Sequence, residues 1–219
     1  MRSAGKLTAE VLQDILPWVR PGVTERDLAA EVEYRMRKKG AEGVAFETIV
    51  ASGPRSAHPH AYPSSKPLQE SELVILDLGA ILSGYAADMT RTVFLGDPSR
   101  RVRSLYSAVV KAQRGAVRSV KDGVKAGDVD ATARQILDGQ GLAQYFTHST
   151  GHGVGLEIHE RPRLGKGETT CLRAGSVVTV EPGVYLEGLG GIRVEDTVLV
   201  GPDGPEVLTP ASTEHWVIS

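Results

Sequence analysis

Leu7, Val11, Leu12, Ile15 and Trp18 recur at the spacing of one helix face until Pro21-Gly22 interrupts them. Thr24, with Asp27 three residues on, resembles a capping box that opens a second helix ending near Gly40. The pattern then shortens. Residues 46–51 read as a strand, 52–67 as a loop rich in Pro, Ser and His, and 73–78 as a buried strand with a hairpin return over 85–95. After Gly96-Asp97-Pro98, helical spacing returns over 101–121 and 128–137, and two further strands bracket Glu181 and Glu195. No linker or low-complexity stretch divides the chain, so 1–219 reads as a single domain.

The chain also echoes itself. Residues 68–77, ending on Asp77, match 172–181, ending on Glu181; Val19-Arg-Pro-Gly22 finds a counterpart in Val124-Lys-Ala-Gly127; and Glu195 follows Asp88. All three recur at about 105 residues, which predicts two related halves, roughly 1–100 and 101–219. The expected fold class is α+β: a pseudo-twofold domain with a curved antiparallel sheet and helices on its outer face.

In an antiparallel hairpin, residues whose indices share one sum stand opposite each other and point to one face. A turn centred between Leu82 and Ser83 would place Asp77 opposite Asp88, and one centred on Gly188 would place Glu181 opposite Glu195. Like charges so placed are destabilising, and two such pairs call for cations. Four carboxylates around one site suit two divalent ions better than one. His152, between glycines in Ser149-Thr-Gly-His-Gly-Val-Gly155, is the natural nitrogen ligand. His58 reads as a solvated loop residue, and His215 has no supporting pattern.

Composition narrows the partners. A net charge of -2 and a pI near 6.3 give no basic excess for nucleic acid. Cys171, the single cysteine, rules out an internal disulfide and a multi-cysteine zinc site, and fits a reducing compartment. Lys6, Glu10 and Asp14 interrupt the first apolar stretch, so neither a secretory signal nor a membrane span is expected there. A cytoplasmic location, without membrane or nucleic-acid partners, is the simplest expectation.

Five blocks, taken in order, resemble the pita-bread metallopeptidases, the family of methionine aminopeptidase, aminopeptidase P and prolidase. They are Asp77-Leu-Gly, Gly84-Tyr-Ala-Ala-Asp88-Met-Thr-Arg-Thr, His148-Ser-Thr-Gly-His152 continuing to His159-Glu, Thr179-Val-Glu181-Pro-Gly, and Gly191-Ile-Arg-Val-Glu195-Asp196. The resemblance implies the pita-bread, creatinase/aminopeptidase-like fold and the metal ligands Asp77, Asp88, His152, Glu181 and Glu195, with Asp88 and Glu195 bridging. It places His60, His148 and His159 around the substrate and Arg193 beside the metals, and gives Glu181 a second role in proton transfer. His148 and His159 are expected to donate hydrogen bonds to the reacting carbonyl.

The segment 192–196 is similar to the proline-directed branch, which implies peptide substrates of the Xaa-Pro kind. Oxygen-rich ligation with one imidazole suits Mn2+ first, with Co2+ and Zn2+ as further candidates. Methionine aminopeptidase-like activity, a metal-free creatinase-like hydrolase and a non-catalytic peptide-binding module stay open beside this reading. Proline-directed members carry an additional amino-terminal domain, and about 50 residues before the first catalytic loop leave no room for it. Whether the protein pairs as a homodimer stays open.

Overall fold

The computed structural model describes residues 1–214 and 216–218; His215 lies outside the described residues. Four helices account for the periodic segments: α1 (Arg2–Ile15), α2 (Glu25–Lys38), α3 (Arg100–Ser119) and α4 (Ala126–Asp138). Thr24 caps α2 by accepting from the Asp27 amide, and Ser99 caps α3 by accepting from that of Val102. The first helix ends before Trp18, because Pro17 cannot donate within it and the chain tightens into a 3-10 turn over Leu16–Trp18.

Strands of the first half are β1 (Gly43–Val44), β2 (Ile49–Ser52), β3 (Leu73–Leu78), β4 (Ala80–Leu82), β5 (Tyr85–Ala86) and β6 (Met89–Leu95). The second half supplies β7 (Gly151–Gly153), β8 (Glu160–Leu164), β9 (Val177–Val180), β10 (Gly183–Leu186), β11 (Gly190–Arg193), β12 (Asp196–Val200), β13 (Pro205–Val207) and β14 (Val217–Ile218). They pair as β14-β6-β3-β2, β13-β12-β9-β7-β8, β1-β4-β5 and β10-β11. The strand expected over 46–51 is confined to β2, which starts at Ile49 and leaves Phe46, Glu47 and Thr48 outside it. Pairing is antiparallel except for β14, which runs parallel to β6 through Val217↔Phe94.

Register follows from the turns. Ser83 and Gly84 both have positive φ (51° and 75°), the signature of a two-residue hairpin turn whose twist matches its strands. That turn sets Asp77 opposite Thr90 instead of Asp88. A two-residue slip preserves the face, so Asp88 still lies on the Asp77 side, diagonally displaced. In the second half Val180↔Asp196 and Gly183↔Arg193 share one index sum, which leaves Glu181 and Glu195 across from each other as expected.

The echo is visible in backbone bonds. Gly22 N donates to Leu68 O and Leu68 N to Val23 O; Gly123 N donates to Leu172 O and Leu172 N to Val124 O. Gly22 and Gly123 have φ of 90° and 80°. The counterpart of the turn 19–22 is therefore 120–123, a correction to the spacing-based match with 124–127. Val120-Lys-Asp-Gly123 and Val124-Lys-Ala-Gly127 stand in tandem, and the second is already entering α4.

Strand alternation then divides apolar from polar. Val74, Leu76, Leu78, Met89, Val93 and Leu95 face one core with α1 and α2. Val178, Val180, Ile192, Val194, Val198 and Val200 face another with α3 and α4. The opposite faces carry Asp77, Thr90, Thr92, Thr179, Arg193 and Thr197, and Glu181 and Glu195 continue that alternation. No described helix is long and apolar enough to cross a membrane.

Leu28, on α2, is fully buried in the first core. Leu28→Ala should lower the free energy of unfolding by about 2–5 kcal/mol, the range for a cavity of that size. Denaturant titration measures it; an unchanged midpoint would contradict the assignment of this face to the core.

Candidate metal centre

Asp77, at the end of β3, and Asp88, between β5 and β6, are 8% and 6% exposed. Asp88 is locked to the second half by its backbone: its amide donates to Thr197 Oγ1 (3.1 Å), and Thr197 Oγ1 donates to its carbonyl (2.7 Å). Glu195, 2% exposed, accepts at Oε2 from Thr90 Oγ1 at 2.6 Å, which reaches across from the first half. Glu181 is placed by its amide, which donates to Thr150 O. His152 is held on β7 by the bond from its amide to Thr179 Oγ1.

The imidazole of His152 pairs Nδ1 with Gly153 O at 2.9 Å. A carbonyl can only accept, so Nδ1 carries the proton and Nε2 presents its lone pair. That lone pair lies 3.6 Å from Asp88 Oδ2 and 3.6 Å from Glu181 Oε1. Burial pushes the His152 pKa down to about 4, keeping the ring neutral and available to a metal. One ligand atom each from Asp88, His152 and Glu195 fall within 4.8 Å of one another.

Burial also raises Asp88 and Glu195 well above the ordinary carboxylate value, reinforced by repulsion among Asp77, Asp88, Glu181 and Glu195. Glu181 rises to about 8, chiefly through burial. Arg193, 3% exposed, is the one guanidinium in this group; it donates to Asp77 Oδ2 at 2.6 Å and to Thr90 Oγ1 at 3.1 Å. The charge therefore stays unbalanced when all four carboxylates ionise. The other Asp77 oxygen, Oδ1, is buried without a hydrogen-bond partner among the described residues. An orphaned carboxylate oxygen, a free imidazole lone pair and excess buried negative charge together fit divalent cations.

These groups line a cavity of about 770 Å³, which His60, His148 and His159 also reach. His159 is exposed, with its ring 4.3 Å from that of His152, and His60 is exposed on the loop after β2. His148 differs from expectation. Its Nδ1 pairs with Ser149 O and its Nε2 with Tyr185 Oη, both at 2.8 Å, so neither nitrogen has an N–H left for a substrate carbonyl. His58 does not line the cavity.

Tyr185 is the site residue the sequence reading missed. Arg193 Nη1 donates to its oxygen at 2.9 Å, which joins Asp77, Arg193, Tyr185 and His148 into one chain of hydrogen bonds. The available signal was parity, since Tyr185 lies four residues beyond Glu181 along the hairpin and shares its face. Asp196, part of the motif that suggested the proline branch, turns the other way. It pairs with Arg91 and accepts from Gln113 and Thr209 behind the site.

Comparison with known proteins identifies the family and the fold. The model of metallopeptidase family M24 matches residues 1–202. An Xaa-Pro dipeptidase of Pyrococcus furiosus is 47% identical over 196 residues, covering 90% of this chain and 56% of that protein. The structure of an Xaa-Pro dipeptidase from Bacillus anthracis superposes with a TM-score of 0.97 at 42% identity, covering 99% of this chain and 61% of that one. An X-Pro aminopeptidase from Thermotoga maritima gives 0.96 at 41%, covering 99% and 62%. The chain thus spans little more than half the length of the relatives it matches. With the family model aligned along nearly its whole length and its fold shared with solved relatives, the chain belongs to metallopeptidase family M24 and has the pita-bread fold.

Proposed function

We propose that this chain is the catalytic unit of an Xaa-Pro peptidase, releasing an amino-terminal residue from the proline that follows it. The observation that carries this reading is the meeting of Asp77, Asp88, His152, Glu181 and Glu195 in one cavity of about 770 Å³, in a chain whose relatives include an Xaa-Pro dipeptidase and an X-Pro aminopeptidase. Those five side chains would hold two divalent ions, with Mn2+ favoured by the oxygen-rich donor set and Co2+ or Zn2+ as alternatives. Such ions lower the pKa of a coordinated water and polarise a carbonyl. The lone cysteine supports a reducing, cytoplasmic setting.

The chain's own residues supply the rest. The nitrogen of the scissile bond leaves as an amine only when a proton is delivered to it. Glu181 takes a proton from the attacking water at its carboxylate and passes it to that nitrogen. His159, exposed beside His152, donates to the carbonyl oxygen as negative charge develops there. Arg193 keeps Asp77 oriented, and through Tyr185 fixes the ring of His148, which acts as a wall of the cavity.

Assay of Mn2+-loaded protein on a peptide panel tests the substrate class: Xaa-Pro dipeptides should be cleaved faster than Met-Ala, and the reverse order would overturn it.

Ligand and donor roles separate by mutation. Asp88→Asn should lose metal and activity together. His159→Ala should keep its metal while turnover falls roughly 100 to 1,000-fold, the scale for one lost stabilising donor. Elemental analysis beside turnover reads both; metal retained in the first variant and lost in the second reverses the assignment.

The stability of the metal-free protein should depend on pH in a definite sense. Carboxylates with raised folded-state pKa stabilise the fold most at low pH, and that contribution fades as pH rises through Glu181's value of about 8. His148 and His152, both lowered to about 4 by burial, act oppositely but only below their ordinary value of 6.5. Between about 6.5 and 8 the carboxylates act alone, so the melting temperature after chelation should fall with pH. Metal-loaded protein should not share that fall, because deprotonation favours metal binding. A chelated protein that grows more stable over this range would contradict the buried-carboxylate picture.

A further inference from the structure

Glu25, the first residue of α2, has a fully buried side chain far from the carboxylates of the metal centre in sequence. Its Oε1 accepts from Ser52 N and Ser52 Oγ, both at 2.8 Å. Its Oε2 accepts from Ser64 N (3.0 Å), Ser64 Oγ (2.6 Å) and Arg55 Nε (3.0 Å). Burial alone would raise the carboxyl's pKa, yet the bonds from Ser64 and Ser52 hold it below the ordinary value. One ionised group therefore joins both ends of the segment 52–64, and Arg55 extends the clip inward by donating to Tyr62 O at 2.6 Å.

That segment forms one wall of the cavity. After a 3-10 turn over Gly53–Ala57 it has no regular structure; its one internal backbone bond beyond that turn's own is Ala61 N to His58 O, and at its end Ser64 O accepts from the Arg26 amide of α2 at 3.0 Å. His60 and Tyr62 line the cavity, Pro59 O accepts from Arg193 Nη1, and Ser56 Oγ accepts from the Gly191 amide. The segment lies so close to β11 that a Cβ on Gly191 would come within 2.1 Å of Ser56 O. A stretch with so few internal bonds takes its position from its ends and from these docking points.

We propose that Glu25 is a positioning residue that closes the segment 52–64 and so sets the His60–Tyr62 wall against the substrate. This rests on the reading of the cavity as a peptidase site. Glu25→Gln places amide hydrogens against serine and arginine donors; Ser64→Ala is the milder variant should the first fold poorly. Both should keep the metal affinity of the parent, measured by Mn2+ titration. KM for an Xaa-Pro dipeptide should rise, by roughly 10-fold for Glu25→Gln and less for Ser64→Ala, while kcat changes little. In a His60→Ala background the effect of Glu25→Gln should shrink, because both act through one wall.

A lowered melting temperature with unchanged KM per folded molecule would make Glu25 a stabilising residue only and overturn the proposal. Loss of Mn2+ affinity would overturn it too, by moving the effect to the metal centre. Amide exchange over 53–64 on the same proteins keeps the two readings distinct. A parent that cleaves no Xaa-Pro peptide sinks the peptidase reading, whereas faster exchange confined to this segment upholds the clip and unchanged exchange sinks it.

Discussion

Four carboxylates and one guanidinium, buried together, are the constraint around which this molecule is arranged. At side chains so little exposed their mutual repulsion is screened less than at the surface, and the protein meets it in two ways. Burial and mutual repulsion favour the protonated forms of Asp88, Glu181 and Glu195 when metal is absent. Hydroxyls and Arg193 hold the oxygens apart from one another, with Thr90 on Glu195 and Arg193 on Asp77. Divalent cations would complete the balance, so the same feature that strains the metal-free fold would give a metal its affinity.

The carboxylates also come from both cores. Asp77 lies on β3 and Asp88 just before β6, strands backed by α1 and α2, whereas Glu181 just after β9 and Glu195 just before β12 adjoin strands backed by α3 and α4. Thr197 to Asp88 and Thr90 to Glu195 cross between them. Behind the site, Arg91 donates to the carbonyls of Thr90 and Glu195 and pairs with Asp196, adding a buried seam between the halves. The motif residue Asp196 thus serves the joint between halves and does not reach the cavity.

Much of this was legible in the sequence, for a physical reason. Hairpin parity depends only on whether two indices have the right even or odd relation, so Asp77 and Asp88 were placed on one face although their register was off by two. Glu181 and Glu195 were placed fully, because Gly188 marks their turn. The turn match at 124–127 failed because tandem Val-Lys-x-Gly strings give spacing no means to choose between them. Tyr185 and the double engagement of His148 were not legible, since hydrogen-bond partners 37 residues apart depend on how the loops close. The clip at Glu25 was hidden likewise: a glutamate opening a helix looks like an ordinary solvated charge until Ser52 and Ser64 fold over it.

The alternation of the strands behaves as a reading frame of two. On β3 and β6, and again on β9 and β12, residues packed on the helices alternate with residues on the inner face, where Asp77, Thr90, Thr179 and Thr197 lie. A single-residue insertion within any of them would turn core residues such as Val93 or Val178 toward that inner face in one step. Length can vary without that exchange only in the connecting segments, such as 53–64 and the turn after β10. The scaffold therefore confines heritable change in pocket shape to its loops, while the chemistry stays fixed by the frame.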